Sequence, residues 1–220
     1  MMNFEQAREN MVDSQIHTMG VVSQAVLDAF RALPREKFVS PEKRALAYCD
    51  EDLSLGAGRW LMEPQILARM VQASDPRPED VVMVVGAGCG YTAAIYSFLA
   101  TTVIALDEAG PMIEGANALW QELGLVNIVA LEGDLATGSA RHSPYDLIFV
   151  NGAVAAISDT LKAQMAIGGR LVAVVRSEQR AAGCATLVVR TGEENWSCRT
   201  LFDANIPYLP GMAPKNAFVF

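Results

Sequence analysis

Gly86, Gly88 and Gly90 stand between an apolar run, VVMVV (81–85), and a helix-favouring stretch, YTAAIY (91–96). A strand that ends in such a turn lets its backbone, Ala87 included, approach a ligand closely. The spacing Gly-x-Gly-x-Gly departs from the dinucleotide fingerprint, because Tyr91 occupies the place of the third glycine. No Gly-Lys-Ser/Thr follows, so the turn is not a phosphate-cradling loop. A tight strand-to-helix turn without any ligand would use the same glycines. Two carboxylates narrow the choice. Asp107 ends the next apolar run, TVIAL (102–106), where an acidic side chain can accept hydrogen bonds from two ribose hydroxyls. Its neighbour Glu108 is a second candidate for that role. Asp134 follows NIVALEG (127–133) and can accept from an adenine amino group. Either carboxylate could also be a solvated loop residue. Three features at three successive strand ends favour an adenosine-containing ligand without a pyrophosphate, which S-adenosylmethionine satisfies.

Those positions require alternating strands and helices. Apolar runs at 81–85, 102–106, 127–133, 145–150, 169–175 and 185–190 read as strands, with a further strand near 199–202. Helices are predicted over 91–100, around 112–124 and around 158–165. Strands apolar throughout are covered on both faces, as in a parallel sheet. The strand-rich end without helices implies an antiparallel edge. The fold expected is therefore α/β: a doubly wound, mostly parallel seven-stranded sheet of Rossmann-like type with a helical N-terminal extension. In that extension Met11, Val12, Ile16 and Met19, then Val26, Leu27, Phe30 and Leu33, recur at helical spacing, and Pro34 closes the second helix. Residues 35–60 look irregular. Pro64 opens a helix over 63–72. Asn151, at a strand end, is a pocket-lining candidate, whereas Asp146 reads as structural. His17 and His142 read as ordinary helix and loop residues.

The chain has 220 residues and a formal net charge of −8, which disfavours nucleic acid and anionic membrane surfaces as partners. Its four cysteines form no CxxC pair and its two histidines lie far apart, so no metal site and no disulfide framework is expected. The N-terminus carries charge and no apolar signal core, and a cytoplasmic protein is expected.

The sequence resembles the protein-L-isoaspartate O-methyltransferases over nearly its whole length. MVDSQI (11–16), VLDAFRALPREKFV (26–39) and AYCDEDLSLG (47–56) look like the family's N-terminal region. GAGCGYTAA (86–94) is similar to its cofactor loop GTGSGYxAA, GDLATG (133–138) to its GDGxxG, and GGRLV (168–172) to its GGRLV. The resemblance implies that S-adenosylmethionine is the cofactor. It implies L-isoaspartyl residues in damaged proteins and peptides as methyl acceptors. It also implies that Gly86, Ala87, Gly88 and Gly90 line the methionine part, Asp107 and Glu108 the ribose, and Asp134 and Leu135 the adenine. Residues 1–60 would form the helical extension and a substrate-side lip, and 61–220 a single compact methyltransferase unit.

The lip departs from the family. Its segment QTISQP, whose serine faces the reacting carboxylate, is here RWLMEP (59–64), with Met62 at the serine's position. A thioether donates no hydrogen bond, and loss of one oriented contact costs about 2–4 kcal/mol in a transition state. Arg59 is a catalytic candidate, since its guanidinium can pair with a substrate carboxylate; the alternative is a surface residue. Trp60 either stacks on a peptide or packs in the N-terminal layer. Glu63 is either a base or an acidic residue favoured at a helix start. Val84 replaces an acidic residue before the turn, and Leu135 replaces a glycine. Three readings stand: an isoaspartate methyltransferase, a non-catalytic scaffold of the same fold that binds a partner, and a methyltransferase with another acceptor. A nicotinamide oxidoreductase is disfavoured by Tyr91.

Overall fold

A computed structural model describes residues 3–177 and 182–214. The chain opens with helix α1 (Phe4–Met11), capped by the Asn3 side chain, which accepts from the Gln6 amide at 3.1 Å. A wide turn (Val12–Ile16) and a tight one (His17–Met19) follow, and Gly20, with φ +87°, ends them. Helix α2 (Gln24–Ala32) stops before Pro34, with Leu33 already extended. Single helical turns at Arg35–Phe38 and Pro41–Leu46 lead to a hairpin that the sequence did not announce: β1 (Leu53–Gly56) and β2 (Arg59–Leu61). Its turn, Gly56-Ala57-Gly58, has positive φ at all three residues. Helix α3 (Pro64–Ala73) begins on its proline as expected. Gln72 near its end holds the α1–α2 region in place: its oxygen accepts from the Val22 and Ser23 amides, and its nitrogen donates to the Gly20 carbonyl.

The main sheet then forms from β3 (Val81–Val85), β4 (Thr102–Asp107), β5 (Ile128–Glu132), β6 (Tyr145–Val154), β7 (Met165–Val175), β8 (Cys184–Gly192) and β9 (Asn195–Asp203). Helices α4 (Tyr91–Ser97), α5 (Gly110–Glu122) and α6 (Asp159–Ala163) connect its parallel members. The strand order is β5-β4-β3-β6-β7-β8-β9, parallel from β5 to β7 and antiparallel from β7 to β9. This is the seven-stranded sheet with an antiparallel edge that the sequence implied. The order turns back at β3, so the carboxyl ends of β3 and β6 form the switch-point crevice.

Alternation within β3 shows why the strand is apolar throughout. Val82 and Val84 join the larger core, which runs through the N-terminal helices, α3, α4 and α5. Met83 and Val85 join a second core on the opposite face with Ile104, Leu106 and Ile148. The start of β3 is pinned by Asp146, whose carboxylate accepts the Val81 amide at 2.9 Å. Asp80 there forms a buried pair with Arg170.

Candidate active site

The glycine turn has the backbone that its sequence called for. Gly86, Gly88 and Gly90 sit at φ +75°, +57° and +85°, a region that side chains rarely adopt. The space they leave is filled by the chain itself. A Cβ on Gly86 would lie 2.7 Å from Leu209 Cδ2, and one on Gly90 would lie 2.5 Å from the Trp120 ring. A Cβ on Gly88 would meet Arg59 Cβ and Leu55 Cδ1, both at 3.6 Å. Trp120 also donates its ring N–H to the Gly90 carbonyl at 3.0 Å, which locks α5 to the turn.

Asp107, at the end of β4, is fully buried. One carboxylate oxygen accepts from the Gly88 amide (2.8 Å) and the other from the Ala109 amide (2.9 Å). The Arg59 guanidinium lies across both oxygens, with Nη2 at 2.8 Å and Nε at 3.0 and 3.2 Å. Arg59 Nη2 also reaches Glu108 at 3.3 Å and Nη1 reaches the Ala57 carbonyl at 3.3 Å. Arg59 is 2 % exposed, so it is neither a surface residue nor open to a substrate carboxylate. The hairpin turns it inward, and its charge is neutralised 48 residues away in sequence. Burial by itself would raise the Asp107 pKa, but hydrogen bonds from Arg59, Ala109 and Gly88 outweigh it and hold the carboxyl below its usual range. For Arg59, burial acts to lower the pKa, and the Asp107 contact more than reverses it.

A C-terminal strap completes the enclosure. The Pro207 carbonyl accepts from the Ala153 amide (3.0 Å), and the Leu209 amide donates to the Ala153 carbonyl (3.0 Å). The Ala155 amide donates to the Met212 carbonyl (2.8 Å), so the strap runs beside the end of β6. This holds Leu209 over Gly86 and over Gly152, whose added Cβ would lie 2.7 Å from Leu209 Cγ. Pro210 packs on Gly58, 2.8 Å from an added Cβ, so strap and hairpin meet above the glycine turn. Tyr208 is tied down by its hydroxyl, which donates to the Arg176 carbonyl at 2.7 Å. Nothing in the sequence pattern marked Leu209 or Pro210.

The remaining candidates divide. Asp134 is exposed, and its carboxylate accepts the Thr137 amide at 2.8 Å. With Glu108, Leu135 and Ala136 it borders a cavity of 130 Å³ closed by Pro210, Gly211 and Met212. Asn151, 8 % exposed, donates to the Gly86 carbonyl (3.0 Å) and accepts from the Thr92 hydroxyl (2.8 Å), holding the turn to β6. Met62 points into the larger core, 1 % exposed, rather than towards a substrate. Its carbonyl accepts from Arg35 Nη2 at 2.6 Å. Arg35 is fully buried, also donates to the Ala47 carbonyl (2.6 Å) and lies over the Tyr91 ring. It thereby holds the lip segment against α4, a role hidden within the PREKFV motif. Tyr91 packs edge-on against Phe30 and Phe38, away from the crevice. Glu63 is half-buried beside Asp52, and burial with repulsion from Asp52 and Asp50 pushes its carboxyl up to about 7.

As placed, these residues do not fit an adenosyl group. Both Asp107 oxygens are engaged where a ribose diol would bind, and Leu209 lies on the glycine turn where the amino-acid part would run. The 130 Å³ beside Asp134 is well short of the about 300 Å³ at which ligand pockets begin.

The sequence model of the family described as protein-L-isoaspartate(D-aspartate) O-methyltransferase matches residues 6–209. A protein-L-isoaspartate O-methyltransferase 1 from Rhodopseudomonas palustris (strain HaA2) is 36 % identical over 95 % of this chain and 85 % of its own. A protein-L-isoaspartate O-methyltransferase from Methylorubrum populi is 36 % identical over 94 % of this chain and 96 % of its own. Among solved structures, one named protein-L-isoaspartate O-methyltransferase superposes with a TM-score of 0.81 at 23 % identity, covering 93 % of this chain and 66 % of that one. A Plasmodium falciparum structure in complex with S-adenosyl-L-homocysteine superposes with a TM-score of 0.77 at 15 % identity, over 95 % of this chain and 99 % of that one. The two superpositions establish the fold, while the sequence matches run from the first helix to the strap. On that evidence the chain belongs to the protein-L-isoaspartate O-methyltransferase family, whose cofactor is S-adenosylmethionine.

Proposed function

We propose that this chain is an S-adenosylmethionine-dependent O-methyltransferase acting on the carboxylate of L-isoaspartyl residues in damaged proteins. The observation that carries the reading is Asp107, whose carboxylate stands at the carboxyl end of β4 beside the glycine turn, where the Gly88 and Ala109 amides orient it independently of the Arg59 side chain's own contacts. Membership of the family over residues 6–209 supplies the acceptor class. An isoaspartyl carboxylate is already ionised at neutral pH, so the acceptor needs no base, and positioning carries most of the burden. The net charge of −8 supports a peptide acceptor over nucleic acid. In this reading the hairpin and strap form the wall between crevice and solvent, and Arg35 fixes the lip through the Met62 and Ala47 carbonyls.

One observation favours a second reading, a family member that has lost catalysis and binds a partner. At the position of the family's serine, Met62 faces the core, so no hydroxyl is presented from that segment. Methyl transfer from labelled S-adenosylmethionine to an isoaspartyl peptide, compared with its aspartyl counterpart, separates the two. A labelled ester on the isoaspartyl peptide alone is expected. No ester from the chain, or from its Arg59→Gln variant, would overturn the enzyme reading.

A further inference from the structure

We infer that Arg59 and the Leu209–Pro210 segment form a built-in plug of the adenosyl crevice, which the cofactor has to displace in order to bind. This rests on the proposed function and deepens it, since it concerns access to the same site. Three independent contacts carry it. Arg59 occupies the face of Asp107 that a diol would use, with Nε and Nη2 on both oxygens. Leu209 occupies the hollows left by Gly86, in the turn after β3, and by Gly152 on β6, the two strands that flank the switch point. Pro210 joins the two parts by packing on Gly58. The cavity that remains beside Glu108 and Asp134 measures 130 Å³.

The plug is built to hold and also to move. Each of its two arms has contacts of its own besides those on Asp107 and the glycine turn: Arg59 on the Ala57 carbonyl and Glu108, Leu209 on Ala153. Yet the Gly56-Ala57-Gly58 turn that carries Arg59 is exposed and includes two residues with wide conformational freedom. Its packing on the strap is through Pro210. Withdrawal of the hairpin would free the Asp107 face, and withdrawal of the strap would free the glycine turn. A ligand that binds only the open arrangement loses affinity in proportion to the fraction that is closed.

Calorimetric titration with S-adenosylhomocysteine tests this on the full chain and three variants: Arg59→Gln, Leu209→Ala and the double substitution. Glutamine is the residue that stands at this position in the family segment QTISQP. Each single variant is expected to bind at least tenfold more tightly than the unaltered chain, and the double variant more tightly still. If the unaltered chain binds as tightly as the variants, the plug is overturned while the cofactor reading stands. If none of the four binds while all keep the same far-ultraviolet circular dichroism, the crevice is not an adenosyl site, and the proposed function falls with the plug. Should Arg59→Gln fail to fold, Leu209→Ala keeps the ion pair intact, and an unchanged affinity there overturns the inference.

Discussion

Asp107 and Glu63 are carboxylates in one lip-and-crevice region with opposite electrostatic fates. Asp107 is fully buried but meets a guanidinium and two amides, so it stays ionised. Removing Arg59 outright would leave a buried charge, and breaking such pairs costs about 3–5 kcal/mol. Two amides still solvate Asp107, which places Arg59→Ala at the lower end. Glu63 forms no ion pair among the described residues, and burial with repulsion from Asp52 and Asp50 raises its carboxyl to about 7. The sign of the consequence follows. Between pH 4.5, the ordinary value, and about 7, the folded chain keeps a proton that the unfolded chain releases. Stability therefore falls as pH rises through that window and levels off above it. Glu63→Gln should flatten this slope and stabilise the fold at pH 8 by about 1 kcal/mol, a discounted figure because the group is partly solvated. Thermal melting from pH 5 to 8 measures it. An unchanged slope in the variant would assign the effect elsewhere.

At the scale of elements, the glycine turn is a junction between β3, α4 and α5 as much as a ligand loop. Gly90 begins α4 at φ +85°, and a Cβ there would lie 2.5 Å from the Trp120 ring and 2.8 Å from Ala116 Cβ. Gly90→Ala should thus destabilise by about 2–4 kcal/mol from overpacking and backbone strain. For a chain of this length that is a melting-point drop of about 5–15 °C. A drop under 2 °C would mean that α5 shifts freely, which the Trp120 bond to the Gly90 carbonyl opposes. The strands at 81–85 and 102–107 were legible because both faces of the sheet are covered, which leaves an unbroken apolar run. The hairpin was not, since strands of three and four residues carry no resolvable period. The strap was invisible for a different reason: Leu209 and Pro210 acquire meaning only from Gly86, Gly152 and Gly58, which lie far off in sequence. In the same way the sequence set the glycines, Asp107 and Asp134 at successive strand ends, while the partner that Asp107 meets could not be read from it. Arg59 had been open to a surface or a substrate-facing reading, and only the hairpin's fold turns it inward.

For the molecule as a whole, the question is whether residues 1–60 are an appendage or part of one cooperative unit. The larger core contains Met11, Val12, Ile16 and Phe30 from the extension together with Val82, Val84, Tyr91 and Phe149 from the sheet layer. Phe30 meets Tyr91 edge-on at 6.1 Å, and Arg35 crosses from the extension to the Met62 carbonyl and the Tyr91 ring. A layer tied in this way should not unfold ahead of the sheet. The three tryptophans report on separate places: Trp60 in the hairpin, fully buried Trp120 on α5 and part-exposed Trp196 on the edge strand. Denaturant unfolding followed by fluorescence and by circular dichroism should therefore coincide in one transition. Phe30→Ala removes a buried aromatic ring and should lower stability by about 3–5 kcal/mol while that single transition persists. If the variant instead shows an early fluorescence change with the circular dichroism of the sheet intact, the extension is an independent layer. The hairpin that carries Arg59 would then be free to leave the crevice without the sheet yielding, and opening of the site would be an event of the N-terminal layer alone.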